Sequence, residues 1–130
     1  DRYITLFEHK FVRNFIHIQD VSRAFEYMID NYHTFNNEIF NLGLSDENIT
    51  KKQLVEKIQS HIPNTSVNYS DYYVDPDKRD YIVSNEKIEE AGWKPIFTLD
   101  DGIKELIQSY KMIVPTQSQY RNTTPLSYKE

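Results

Sequence analysis

Two arginines have the chemistry needed to bind a phosphorylated ligand. Arg13 lies in a short β-rich stretch, and Arg79 lies in a loop interrupted by Pro76. A guanidinium group gives planar, paired hydrogen bonds to phosphate oxygens, which a lysine ammonium cannot match. Both arginines also have a structural alternative, because Arg13 could form a surface salt bridge and Arg79 could pair with Asp77 or Asp80. We therefore treat Arg13 and Arg79 as candidate phosphate ligands.

The other polar residues show no pattern typical of metal or hydrolytic chemistry. His9, His33 and His61 lack metal-ligand spacing with one another or with clustered carboxylates, so we predict no metal site. His17, between Ile16 and Ile18, points away from its apolar neighbours and could act as a general base. The chain has no Cys, which excludes disulfides and thiolate metal sites.

Composition narrows the class of protein further. A chain of 130 residues is long enough for one domain with a modest core. Its net charge of −5, without a basic stripe, argues against nucleic-acid binding. No apolar run approaches the length that crosses a membrane, so we expect a cytoplasmic protein without a membrane partner. Aromatic residues make up 14% of the chain, which is typical of a lobe that packs against something larger.

Local patterns predict a small mixed domain of the α/β class, an α+β lobe. Short strands are predicted at 4–7, 14–18, 38–42 and 66–69, with an extended piece at 80–83. Asp20 is the predicted N-cap of a first helix with an apolar stripe reaching Tyr32. Thr50 and Gln53 form a predicted capping box at the start of a second helix, which Pro63 ends.

Two more helices are predicted in the second half of the chain. Ser84 is expected to cap a brief helix that ends at Gly92, and Thr98 to cap a last helix that Pro115 ends. Acidic side chains near helix starts, such as Asp100 and Asp101, are favoured there by the helix dipole. We predict a domain over residues 1–115 and a flexible tail over 116–130.

Several segments, in this order, resemble the extended short-chain dehydrogenase/reductase family, whose members modify nucleotide sugars. Residues 13–21 (RNFIHIQDV) are similar to that family's Arg-Asp-Phe/Tyr-Ile-His segment, and 40–43 (FNLG) to its Tyr/Phe-Asn-Val/Ile-Gly strand. Residues 77–84 (DKRDYIVS) are similar to its Asp-x-Arg-x-Tyr segment. Residues 92–95 (GWKP) and 98–103 (TLDDGI) resemble the family's ending. The resemblance covers residues 4–114.

The resemblance also implies what this chain lacks. The family's Gly-rich cofactor turn and its catalytic Tyr-x-x-x-Lys belong to an amino-terminal Rossmann domain. Only three glycines occur here, at 43, 92 and 102, and none of the ten tyrosines has a lysine four residues later. The chain would then be the carboxy-terminal substrate-binding part of an NAD(P)-dependent nucleotide-sugar epimerase or dehydratase. NAD or NADP would bind the full-length protein, and this chain alone would bind neither cofactor and perform no catalysis.

Residue roles follow from the same resemblance. Arg13 and Arg79 would contact the diphosphate of a nucleotide-diphosphate sugar, while Thr5 and Phe7 would lie beside the nucleobase. For Phe7 a plain core position is an equal alternative. Residues 8–12 (EHKFV) replace the family's usual Gly-x-Gly, so the nucleotide stays open. The resemblance makes His17 a strand residue with a structural role. It also implies contact with the missing Rossmann domain and a homodimer of the full-length protein, and it leaves the oligomeric state of this chain open.

A second hypothesis is a free-standing binding or interaction module derived from such an enzyme. Exposed aromatic residues such as Tyr72 and Tyr73 would then mark a protein contact. An upstream reading frame that encodes a Gly-rich turn and Tyr-x-x-x-Lys would favour the enzyme.

Overall fold

Short strands and helices alternate along the chain in a computed structural model, which describes residues 3–72 and 79–112. The strands are β1 (Tyr3–Phe7), β2 (Val12–Asn14), β3 (Asn48–Thr50) and β4 (Ser66–Ser70). The helices are α1 (Ile18–Asp30), α2 (Tyr32–Phe35), α3 (Lys51–His61), α4 (Glu86–Glu90) and α5 (Leu99–Met112), with a 3-10 turn at Ser45–Glu47. The predicted α/β class is confirmed. Pro115, the tail at 116–130, Tyr73 and Asp77 lie outside the described residues.

Two small sheets organise the strands. β1 pairs with β4 in parallel, and β2 pairs with β3 in antiparallel orientation. The predictions of β1 and β4 are therefore confirmed. The strand predicted at 14–18 lies earlier, at Val12–Asn14, because the chain enters α1 at Ile18.

The strand predicted at 38–42 is wrong for the described part of the chain. The segment is extended in sequence pattern but pairs with no strand in residues 3–72 or 79–112. A strand requires a neighbour for its backbone hydrogen bonds, and this segment meets none there. Its alternation is nevertheless present, since Phe40 and Leu42 pack on the core while Ile39 is exposed. The side-chain amide of Asn41 donates to the carbonyl of Ser84 at 3.1 Å.

His17 is the N-cap of α1, so the prediction of Asp20 in that position is wrong. The Nδ1 atom of His17 accepts from the amide of Gln19 at 3.1 Å. Its Nε2 atom lies 3.0 Å from a carboxylate oxygen of Glu105, and its ring stacks on Phe97 with centroids 4.5 Å apart. His17 is buried, and the structural role predicted for it agrees with these contacts.

Asp20 instead joins α1 to the segment before α5. Its side chain is completely buried and accepts from the Arg23 guanidinium at 2.6 Å. It also accepts from the backbone amides of Ile96 and Phe97, at 3.1 and 2.9 Å. A buried carboxylate needs this number of donors to offset its lost hydration. Sequence-local reasoning could not identify donors so distant along the chain.

The remaining helix ends mostly follow the predictions. The reciprocal capping box of Thr50 and Gln53 is present at α3. At α5, Thr98 accepts from the amide of Asp101, whose carboxylate accepts from Thr98 in return, so the predicted cap is confirmed. α4 begins at Glu86 after Asn85, one residue later than a Ser84 cap would place it. Gly92 follows α4 with φ +98°, a conformation that favours glycine, as predicted.

The core lies between α1 and α4. Ala24, Ile88 and Trp93 form its fully buried centre. Partly buried side chains around that centre are Ile16, Tyr27, Met28, Phe40 and Leu42. Tyr27 also donates to the carbonyl of Ala91 at 2.6 Å, which fixes α1 against the end of α4.

An ion-pair group links α3 to the start of α5. Asp100 accepts from His61 at 2.9 Å and from Lys57 at 3.0 Å, and Lys57 also lies 3.3 Å from Glu47. Hydrogen bonds from His61 and Lys57 hold the pKa of Asp100 below its ordinary value. A lowered carboxyl pKa gives stability that is fully present above the unfolded value, about 3.9, and is lost as pH falls through the folded value.

Replacing Asp100 with Asn should therefore remove a pH-dependent contribution to stability. At pH 7 we expect a loss below about 1 kcal/mol, because the side chains are partly exposed to solvent. The variant should also lose less stability than the wild type on acidification below about pH 4. Urea unfolding between pH 3 and 7 measures both effects. The exposed Asp71→Asn variant is the control, and equal pH dependence in the two variants would contradict this assignment.

Candidate functional site

The end of β1 carries two of the predicted site residues. Thr5 and Phe7 are both partly buried, and strand alternation places them on one face of β1. Thr5 donates its hydroxyl proton to the Tyr3 hydroxyl at 2.8 Å. The Phe7 carbonyl accepts from the ammonium of Lys51 at 3.4 Å, so a cation lies directly beside the end of this strand.

A glycine-free turn connects β1 to β2. Glu8 adopts φ +46°, a left-handed conformation that costs a non-glycine residue about 1 kcal/mol. The Phe11 amide closes the turn by donating to the Glu8 carbonyl at 3.1 Å. The turn carbonyls of Phe11 and His9 then accept from the first amides of α3, those of Lys51 and Lys52. Two hydrogen bonds thus hold the 8–11 turn against the N-terminus of α3.

Arg13 lies in the middle of β2, opposite Ile49 of β3. Its Nη1 atom donates to the Val12 carbonyl at 2.8 Å, and its guanidinium carbon lies 5.3 Å from the centroid of the Tyr81 ring. A guanidinium over an aromatic face is attracted by the ring quadrupole. These two contacts restrict the partly buried Arg13 side chain.

Arg79 belongs to the segment that packs beside β2. The Asp80 carboxylate accepts from the Val12 amide at 2.8 Å, and Tyr81 supplies the ring under Arg13. Arg79 itself is exposed and two residues from that ring. The structure therefore brings the two sequence segments that contain the predicted arginines into contact.

Two residues at this site were not predicted from the sequence. Tyr81 belongs to the same motif as Arg79, so its aromatic ring was the available signal. Lys51 had no such signal, since it is an ordinary first-turn lysine. Its ammonium lies near both the Phe7 carbonyl and the Phe11 ring, 5.7 Å from the ring centroid.

The described contacts join Arg13, Tyr81 and the segment of Arg79 into one group, which we call the cationic corner. Phe7 and Lys51 form a second group at the end of β1. Guanidinium groups can bind a polyanion, and no group of three or more metal-ligating side chains occurs in the described residues. None of the helices in residues 3–72 and 79–112 is long and apolar enough to span a bilayer.

Curated proteins with similar sequences act on nucleotide sugars. The chain is 32% identical over 100 residues to a dTDP-4-dehydro-6-deoxyglucose reductase from Escherichia coli. It is 30% identical over 105 residues to a dTDP-D-glucose 4,6-dehydratase from Mus musculus. Each match covers 76% of this chain but only 31% and 29% of the relative. The chain thus spans about a third of the length of these relatives. No family model matches it.

Solved structures of the same class share the fold. A GDP-D-glycero-L-gluco-heptose synthase from Campylobacter jejuni, solved with NADPH, matches at a TM-score of 0.68 and 20% identity, over 85% of this chain and 33% of its own. A UDP-glucose 4-epimerase from Thermotoga maritima, solved with UDP-glucose, matches at a TM-score of 0.65 and 24% identity. The match covers 85% of this chain and 35% of the epimerase chain. At these identities the likeness concerns the fold, and the sequence relatives add the family. This chain therefore matches part of the extended short-chain dehydrogenase/reductase enzymes that act on nucleotide sugars.

Proposed function

We propose that this chain is the nucleotide-sugar-binding lobe of an NAD(P)-dependent enzyme that epimerises, dehydrates or reduces its sugar substrate. The observation that carries the proposal is the placement of Arg13 in β2, over Tyr81 and beside the segment of Arg79. A nucleotide sugar contains a diphosphate, and guanidinium groups bind phosphate oxygens in a paired, planar geometry.

The Arg13 side chain is restricted before any ligand binds. A free arginine side chain loses rotamer entropy when it binds a ligand, at about 0.5–1.5 kcal/mol for a long side chain. The bond to the Val12 carbonyl and the Tyr81 ring already restrict Arg13 before any ligand arrives. Arg79 is exposed and would complete the diphosphate contact from the adjacent segment.

The nucleobase would lie against the end of β1 in this proposal. Phe7 offers a partly buried ring, and Thr5 lies on the same strand face. Because every base has a π-face, stacking on Phe7 would not by itself select the nucleotide. Lys51 adds a cation beside the end of that strand.

The residues of this chain do not fit the dinucleotide cofactor of the family. A Gly-rich turn cannot be written with glycines at 43, 92 and 102 only. The hydride chemistry, through a keto-sugar intermediate, is therefore assigned to a separate Rossmann domain. This lobe would contribute binding energy that orients the sugar ring toward that domain.

Loss of nucleotide-sugar affinity on replacing Arg13 tests the proposal. In the natural gene product that contains this chain, we expect Arg13→Ala to weaken binding of the preferred UDP-, dTDP- or GDP-sugar at least about tenfold, which corresponds to about 1.4 kcal/mol. Arg13→Lys should recover only part of that loss, because an ammonium lacks the paired geometry. Isothermal titration calorimetry measures both variants.

The matched control for this experiment is Lys104→Ala, which removes one exposed positive charge from α5. Equal affinities of the wild type, Arg13→Ala and Lys104→Ala would refute the role of Arg13. If the natural gene product binds none of the nucleotide sugars, the hypothesis of a non-catalytic interaction module is favoured instead.

A further inference from the structure

Lys51 is held at the end of β1 by contacts with Phe7 and Phe11. Its Nζ atom donates to the Phe7 carbonyl at 3.4 Å and lies 5.7 Å from the centroid of the Phe11 ring. Its backbone amide donates to the Phe11 carbonyl at 3.1 Å. The side chain is partly buried. The ammonium group is therefore placed beside the residue on which the nucleobase is proposed to stack.

The charge of Lys51 does not stabilise the helix that it begins. Lys51 and Lys52 open α3, and the first turn contains no acidic residue. The helix dipole disfavours cations at this end. The two lysines have different surroundings, because the Nζ atom of Lys52 lies 3.7 Å from a carboxylate oxygen of Glu56 and 6.0 Å from the centroid of the Tyr69 ring. Of the two, Lys51 is the lysine whose ammonium contacts Phe7.

An ammonium group donates hydrogen bonds and accepts none. The edges of the nucleobases differ in this respect, since thymine and uracil carry a carbonyl oxygen at C4 and guanine carries one at C6, whereas cytosine and adenine carry amino groups there. A fixed donor bonds the carbonyl of a keto base and opposes the donor of an amino base. Stacking on Phe7 accepts every base, so the ammonium supplies the discrimination that the ring lacks.

We infer that Lys51 selects a nucleotide-diphosphate sugar whose base is uracil, thymine or guanine over one whose base is cytosine or adenine. The ammonium donates to the keto oxygen while the base stacks on Phe7. This inference rests on the proposed function, in which the nucleobase lies at the end of β1. It adds a specificity-determining residue to the proposed site.

UDP and CDP test the inference because they differ only in the hydrogen-bonding edge of the base. In the natural gene product that contains this chain, we expect UDP to bind at least about tenfold more tightly than CDP in isothermal titration calorimetry. If the product prefers purines, IDP and ADP form the equivalent pair. Lys51→Met keeps a long side chain with good helix propensity but removes the donor. It should lower the ratio of the two affinities below about threefold, mainly by weakening UDP.

Lys52→Met is the matched control, since it removes the neighbouring first-turn charge of α3 and should keep the ratio. A merely structural role of Lys51 would weaken UDP and CDP together and leave their ratio unchanged. That result would overturn the inference, as would a wild type that does not prefer the keto base. Loss of the ratio in Lys52→Met as well would assign it to general charge and also overturn selection by Lys51.

Arg13→Ala separates this inference from the proposed function. Because Arg13 is assigned to the diphosphate, its loss should weaken UDP and CDP by the same factor. If it does so while Lys51→Met leaves the ratio unchanged, the proposed binding site stands and base selection by Lys51 is wrong. If the natural gene product binds no nucleoside diphosphate, the proposed function fails and this inference fails with it.

Discussion

Replacing Gly43 with alanine is expected to lower the free energy of unfolding by about 3 kcal/mol. Gly43 is buried, and an added Cβ would overlap the side-chain oxygen of Asn14 and approach the Asn85 amide nitrogen at 3.1 Å. Asn14 cannot turn aside at low cost, because its amide group bonds both the backbone nitrogen and the carbonyl of Leu44. Thermal and urea unfolding followed by circular dichroism measure the loss.

A double-mutant cycle separates this overlap from a general loss of packing. Asn14→Ala alone should destabilise the protein, because it leaves the backbone groups of Leu44 without those bonds. In Asn14→Ala/Gly43→Ala the overlap with Asn14 is gone, so the combined loss should be clearly smaller than the sum of the single losses. Additive losses would show that another contact opposes the methyl group.

The second large effect is expected from Asp20→Asn, at about 3 kcal/mol of destabilisation. The Asp20 carboxylate is completely buried and accepts from Arg23, Ile96 and Phe97. An asparagine would place an NH₂ group among these donors and leave the Arg23 charge without its partner. Urea unfolding at neutral pH measures the change in free energy.

Asp30→Asn is the matched control, since Asp30 lies exposed at the other end of α1. Its negative charge at a helix C-terminus is unfavourable, so the control should be neutral or slightly stabilising. If Asp20→Asn were as stable as this control, the bonds to Ile96 and Phe97 would not contribute to holding the α5 segment.

Features determined by neighbours in sequence could be predicted, and features determined by distant partners could not. The capping residues Thr50 and Thr98 each bond a residue three positions away, so the local pattern contains the whole interaction. Asp20 also looked like a local cap. Its amide donors lie 76 and 77 positions further along the chain, and the sequence around Asp20 does not indicate them.

The same limit applies to the strand predicted at 38–42 and to the candidate site. The sequence shows the alternation of inward and exposed side chains around Phe40 and Leu42. Whether the segment pairs with a strand depends on a neighbouring strand that the local sequence does not specify. For Arg13 the sequence supplied the residue, whereas the ring of Tyr81 beneath it came from the tertiary structure. The ligand roles of Arg13, Arg79, Thr5 and Phe7 stay predictions that the binding experiment addresses.

The parallel pairing of β1 with β4 has a consequence for how the lobe folds. Tyr3 pairs with Ser66, so this contact closes a long loop of the chain. The loop contains the other sheet, made of β2 and β3, and the helices α1, α2 and α3. Loop-closure entropy opposes such a contact until the intervening chain is compact, and contacts of high sequence separation slow folding. The strand that carries Thr5 and Phe7 should therefore become ordered late, after α3. Destabilising β4 should then mainly speed unfolding, whereas destabilising α3 should slow refolding.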